Sequence, residues 1–212
     1  MNVKDDRKFL GIKNNYKLVT IVTAWTAILF QAYLTTGSMA NLFSYFTILT
    51  NLLIAVSLTS ILFFSKTKAA HFFNKPSVQS AITLYIFIVA LVYNTVLRGI
   101  VSLNGWHFFV DTLLHVVVPI LFIIYWFLFV PKGVLHWKQG IQWVYFPLAY
   151  LVYSLIRGAF YGWYPYPFLN VITYGYPKVF LNIFIMITVF FLSGLALIML
   201  NQVLGKRKNV SL

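Results

Sequence analysis

The sequence predicts an all-helical bundle that crosses a lipid bilayer six times, with both termini in the cytoplasm. Three observations predict it. Hydrophobic residues make up 61% of the chain and charged residues 9%, with a mean hydropathy of +0.84. A soluble domain carries roughly a quarter charged residues, so this chain lacks the polar surface to face water. Apolar stretches of about 20 residues recur, and that length spans ~30 Å of hydrocarbon as an α-helix. Finally, the positive residues cluster between alternate stretches, on one side.

Each span is bounded by its own punctuation. The first runs over 18–34 and stops at the Thr-Thr-Gly-Ser turn that begins at Thr35. The second covers 42–64 and ends at Ser65-Lys66-Thr67-Lys68. After Lys75-Pro76 the third covers 78–97 and reaches Arg98; the fourth covers 108–130 and stops at Pro131-Lys132-Gly133. The fifth, over 141–156, is the least apolar and closes at Arg157-Gly158. The sixth covers 179–204 and ends in Lys206-Arg207-Lys208.

Orientation follows from the positive residues. Lys4, Arg7, Lys8, Lys13 and Lys17 precede the first span. Lys66, Lys68 and Lys75 follow the second, Lys132 and Lys138 the fourth, and Lys206, Arg207 and Lys208 the sixth. That places 13 of the 16 Lys and Arg on one side, leaving Arg98, Arg157 and Lys178 near the other. Positive residues stay cytoplasmic, so both termini face inward. The net charge of +13 is then a topology and anionic-lipid signal; with no folded basic domain, it does not indicate nucleic acid.

Other classes close by absence. There is no cysteine, which removes disulfides, thiolate metal sites and cysteine nucleophiles. No GxGxxG, P-loop, HExxH or GxSxG motif occurs. The N-terminal charged stretch is too long, and the apolar run after it too complete, for a typical cleaved signal. Without repeats or a long linker, residues 1–212 read as one membrane domain. No cofactor is expected, and a lone Asp with one buried His makes no metal site.

Ionisable residues inside hydrocarbon are costly, so each is a functional suspect. Of three acids, Asp5 and Asp6 precede the first span, which leaves Asp111 as the membrane acid. His115 follows four residues later, on the same helix face, and Pro119 one turn beyond. The second span carries Ser44, Thr47 and Asn51 as a stripe, with Thr50 beside it. Asn94 and Arg98 pair on the third; Tyr150, Ser154 and Arg157 line the fifth. Polar stripes turn toward the bundle interior. At ~1.5 Å per residue, Thr47 lies roughly 9 Å and His115 roughly 12 Å below the outer face, so one pocket in the outer half of the bilayer is expected.

Three phrases carry a resemblance: Phe43-Ser44-Tyr45-Phe46-Thr47, Asp111-Thr112-Leu113-Leu114-His115-Val116-Val117-Val118-Pro119 and Trp163-Tyr164-Pro165-Tyr166-Pro167-Phe168. They resemble a bacterial family of six-helix membrane proteins. That family is similar to the eukaryotic androgen-induced-gene family of threonine hydrolases, which cleave fatty acid esters of hydroxy fatty acids. The resemblance implies Thr47 as nucleophile, His115 as base, a fatty acyl ester as substrate and a bacterial plasma membrane as location. Asp111, and Thr50-Asn51, depart from the hydrolases.

The chemistry is coherent for that pair. A threonine hydroxyl needs a base within hydrogen-bond reach, and an imidazole supplies one. Asp111 would orient the imidazole, Asn51, Tyr150 or Ser154 would donate to an oxyanion, and Arg98 or Arg157 would hold a free carboxylate. Plainer readings stand beside these. A membrane threonine often bonds its own i−4 carbonyl, a buried histidine often joins helices, and Asp111 can simply pair with Arg98 or Arg157. Trp106, Trp163, Tyr164, Tyr166 and Tyr174 read as an aromatic belt. The competing function is a small transporter or lipid-binding protein in which Asp111, His115 and the arginines carry protons or bind an anion.

Overall fold

A computed structural model describes residues 3–100 and 102–210. The side chains of Lys4, Asp5, Asp6, Arg207 and Lys208, which enter the charge reading, lie outside the described residues. Among the described residues the chain is helix and turn, with no strand. Five helical segments are long and apolar enough to cross a membrane: Arg7–Leu34, Phe46–Phe63, Pro76–Leu97, Gly105–Phe129 and Val171–Lys206.

The helices differ from the expected spans mainly at their ends and breaks. Helix α1, Val3–Leu34, starts well before position 18. Two lysine heads of its basic stretch find partners, one local and one distant in sequence. Lys17 Nζ donates to Asn14 Oδ1 at 3.1 Å, and Lys13 Nζ reaches the Phe129 carbonyl at 3.4 Å. A short α2, Met39–Leu42, precedes α3, Phe46–Phe63. The turn α4, Lys68–Phe73, is capped by the Thr67 side chain on the Ala70 N–H and leads to α5, Pro76–Val92. Proline at the first position of α5 suits a site whose N–H needs no helical partner.

The next two segments share one irregularity. Helix α5 continues into a π-turn over Tyr93–Leu97. Helix α6, Gly105–Thr112, continues through a π-turn over Leu113–Val117 into α7, Val118–Phe129. The remainder comprises α8, Trp137–Trp143; α9, Tyr145–Tyr161; a 3₁₀ turn at Pro167–Leu169; and α10, Val171–Val210. The expected fifth span is therefore α8 followed by α9. Pro147 explains the break: it brings no N–H for the Trp143 carbonyl four residues back, and its ring crowds that carbonyl. Helix α10 is longer than expected and breaks at Gly175, whose φ of 71° and ψ of 161° are not helical.

These elements pack as two compact units. Met1–Met39 with Thr47–Val130 form one, and Ala40–Phe46 with Pro131–Leu212 form the other. In the first, Phe122, Tyr125 and Trp126 of α7, Ile54 and Leu58 of α3 and Ile86 of α5 are all buried. Trp126 joins two of its helices by donating Nε1–H to Ser80 Oγ at 2.7 Å. A buried indole needs such a partner. In the second, Leu169, Val179 and Ile183 form a core against Leu151, Leu155 and Phe168. Asn201 fastens this unit at the start of its loop. Its Oδ1 accepts from the N–H groups of Gly133, Val134 and Leu135 at 3.0–3.2 Å, and its Nδ2 donates to the Pro131 carbonyl at 3.0 Å.

Candidate functional site

In the first unit the membrane acid and its histidine meet. His115 Nδ1 lies 3.0 Å from Asp111 Oδ1 and 3.0 Å from the Asp111 carbonyl oxygen. Two acceptors at one nitrogen place the hydrogen on Nδ1 and leave Nε2 as the basic atom. The other carboxylate oxygen, Oδ2, accepts from the Tyr93 hydroxyl. The Tyr93 ring also stacks on the imidazole, with centroids 3.9 Å apart and planes 12° from parallel. Tyr93 was not singled out by sequence, where a tyrosine in an apolar helix is indistinguishable from core.

Both π-turns have causes in the sequence, and both lie at this cluster. Pro119 has no N–H to offer the His115 carbonyl four residues earlier, and its ring crowds that oxygen. The helix responds by widening, and the Val118 N–H bonds the Leu113 carbonyl, five residues back. In the π-turn after α5, Asn94 Nδ2 takes the Ala90 carbonyl at 2.8 Å and Thr95 Oγ1 takes the Leu91 carbonyl at 2.7 Å. Side chains that back-bond at i−4 compete with the backbone ladder. The Arg98 N–H then bonds the Tyr93 carbonyl at 2.7 Å. π-turns of this kind recur at functional sites.

Asn51 links the threonine-bearing turn of α3 to the histidine-bearing turn. Its Nδ2 donates to the Thr47 carbonyl at 2.8 Å and to the Leu114 carbonyl at 3.2 Å. Both amide hydrogens are thereby engaged, and the buried Oδ1 has no partner among the described residues. The free end of this side chain is an acceptor, where the sequence reading had a donor to an oxyanion. Thr47 is buried, at 6% exposure.

Asn94 and Arg98 stand apart from that cluster. Arg98 Nη1 donates to Asn94 Oδ1 at 3.1 Å, and both residues are exposed, not turned inward. The π-turn is the reason, since a register of 3.6 residues per turn does not hold through it. Within this unit Asp111 pairs with His115 and Tyr93, and not with Arg98. Among the described residues no three His, Asp or Glu side chains converge as metal ligands.

The second unit holds the remaining candidates. Ser44 does not continue the α3 stripe, which corrects the reading of 42–64 as one helix. It lies in the turn between α2 and α3, where its N–H bonds the Asn41 carbonyl at 3.0 Å. Its Oγ lies 2.6 Å from the Ala40 carbonyl and 2.7 Å from the Tyr153 hydroxyl, while its own carbonyl accepts from Tyr150 OH at 3.0 Å. The groups a helix would use are thus taken by side chains. Ser154 is fully buried one turn after Tyr150. Arg157 donates Nη2–H to Asn41 Oδ1 at 2.6 Å and lies over the Trp163 ring, 4.5 Å from its centroid. Trp163, expected in an aromatic belt, is therefore also a shelf for a cation.

Glycine 158 makes this corner possible. A Cβ there would lie 1.9–2.4 Å from three atoms of the Tyr164 ring. Burial, with the phenol of Tyr176 adding to it, raises the Tyr164 pKa above its ordinary value. Comparison of the chain with protein-family models, curated proteins and solved structures found no match.

Proposed function

We propose that this chain is a six-span lipid ester hydrolase of a bacterial plasma membrane, related to the six-helix family that its phrases resemble. Both termini are cytoplasmic in this reading, and α9 with the α8 turn before it supplies the sixth span. At 17 residues α9 is about 26 Å long, slightly short of a ~30 Å hydrocarbon core. Thr47 is the nucleophile and His115 its base, on an acyl ester taken from the surrounding lipid.

The observation that carries the reading is the hold on His115. With Asp111 Oδ1 3.0 Å from Nδ1, the imidazole has one defined tautomer and a carboxylate to balance its charged form. Nε2 then takes the Thr47 Oγ1 proton as the oxygen attacks the ester carbonyl. Collapse of the adduct expels the alcohol, which leaves with that proton. Water, deprotonated by the same Nε2, cleaves the acyl-threonine, and the proton returns to Oγ1 as the acid departs. The Asn51 bridge between the Thr47 and Leu114 carbonyls supports a fixed relation between the two turns.

A second reading, a small transporter or lipid-binding protein, draws on a specific observation. The π-turns and the break at Gly175 interrupt helices that would otherwise be regular, and interrupted spans are a feature of transport sites. One experiment separates the two. Hydrolysis of a panel of lipid esters, branched ones included, is followed with purified protein in bilayers for wild type, Thr47→Ala and His115→Ala, each checked for folding. Turnover lost in both variants supports the hydrolase. Absence of turnover by folded wild type, with proton or anion uptake that depends on Asp111, supports the transporter.

A further inference from the structure

We infer that Arg157 is the head-group site for an oxyanion-headed amphiphile, a carboxylate or phosphate carried on an acyl chain. The argument begins with charge. The unit formed by 40–46 and 131–212 contains no Asp or Glu at all, because the chain's three acids are Asp5, Asp6 and Asp111. Arg157 is nonetheless drawn into that unit, on α9, and its guanidinium is held in place. Nη2 is fixed by Asn41 Oδ1 at 2.6 Å, and the flat face rests on Trp163 and, at 5.8 Å, on Tyr161. The remaining arm is unused: Nη1 is buried and has no partner among the described residues.

A half-buried guanidinium whose buried arm has neither partner nor counter-charge among the described residues is costly in a low-dielectric setting. Neither the neutral Asn41 amide nor the two rings cancels it. A planar guanidinium with one free arm matches an oxyanion, with a fork geometry that lysine does not provide. The flanking surface indicates what carries that oxyanion. On α9, Ile156, Phe160 and Tyr161 are 53%, 81% and 78% exposed. They form an apolar margin suited to an acyl chain and unsuited to a free soluble ion. This inference stands apart from whether Thr47 is a nucleophile, because it concerns binding.

The test uses the full chain in neutral phosphatidylcholine nanodiscs at pH 8, with retention of added probes read by native mass spectrometry. The probes are oleic acid, oleoyl lysophosphatidic acid, methyl oleate and inorganic phosphate. Wild type is expected to retain one or both acidic amphiphiles at least tenfold better than methyl oleate. The better-retained acid distinguishes carboxylate from phosphate. Arg157→Gln is expected to lose that preference, Arg157→Lys to keep part of it, and Lys178→Gln, which removes another charge from the same unit, to keep all of it. Equal retention of methyl oleate and oleic acid by wild type, a comparison that needs no variant, overturns the proposal. So does unchanged preference in folded Arg157→Gln. Displacement of the amphiphile by inorganic phosphate at equal concentration overturns the acyl-chain part.

Discussion

His115 has its Nδ1 side occupied twice by Asp111 and its ring face covered by Tyr93. In the hydrolase proposed above, that leaves one nitrogen for chemistry, and graded effects on ester turnover follow. His115→Ala removes the base and is expected to cost ~10²–10⁴-fold. Asp111→Asn keeps the shape but loses the charge, with an expected loss on the order of 10²-fold. Tyr93→Phe keeps the stack and removes one charge-assisted bond of ~1.5–3 kcal/mol. If about 1.4 kcal/mol of that reaches the transition state, the expected loss is about tenfold. Initial rates on one lipid ester, with melting curves as a folding control, check the order; equal losses in Tyr93→Phe and His115→Ala would contradict it. The Asp111–His115 pair was legible from four-residue spacing and the scarcity of acids. Tyr93 was not, because nothing in a string of apolar letters marks which aromatic hydroxyl finds a carboxylate. Ser44 was misread because spacing alone does not reveal that Tyr150 and Tyr153 claim its carbonyl and hydroxyl.

Helix widening at Leu113–Val117 traces to Pro119, so Pro119→Ala restores an N–H for the His115 carbonyl and is expected to close the turn to α-helix. Amide exchange checks this: protection at position 119 appears, and turnover falls as His115 shifts relative to Asp111. The prolines were visible in the sequence, yet the reading treated the fourth span as continuous. A widened turn costs little and leaves the hydrophobic pattern intact, so periodicity does not report it. Asn201 was equally hidden, as one amide in an apolar span. Its Oδ1 serves three consecutive N–H groups; the Gly133 N–H also bonds the Asn201 main-chain carbonyl at 2.9 Å, so Asn201→Leu strands those of Val134 and Leu135 at ~1–3 kcal/mol for each that stays buried. The detergent-solubilised variant is expected to melt well below wild type. Gly158→Ala drives a methyl into the Tyr164 ring and is expected to cost ~1–3 kcal/mol by overpacking, read from the same melts.

Across the chain, hydropathy sufficed for the helical class and for five of the six expected apolar spans, because burial in lipid acts on composition; the expected fifth is divided between α8 and α9. Their exact ends escaped it, since basic residues near a helix terminus can remain helical when carbonyls and amides receive them. The proposed orientation is open to a direct check, because the chain has no cysteine and single cysteines can be introduced without background. A membrane-impermeant maleimide on intact cells is expected to label Asn104→Cys and to spare Lys75→Cys and Lys138→Cys; the opposite pattern would reverse the orientation. The acid-free composition of the second unit has a further consequence, for proton linkage. Stability falls with acid when native carboxylates must take up protons, and this unit has no side-chain carboxylate to do so. Its sequence includes one histidine, His136, and no other imidazole or carboxylate side chain. On the proposal above, any sensitivity of Arg157 to mildly acidic pH that persists in His136→Gln would belong to the bound acid, so the protein would report the ionisation of its lipid.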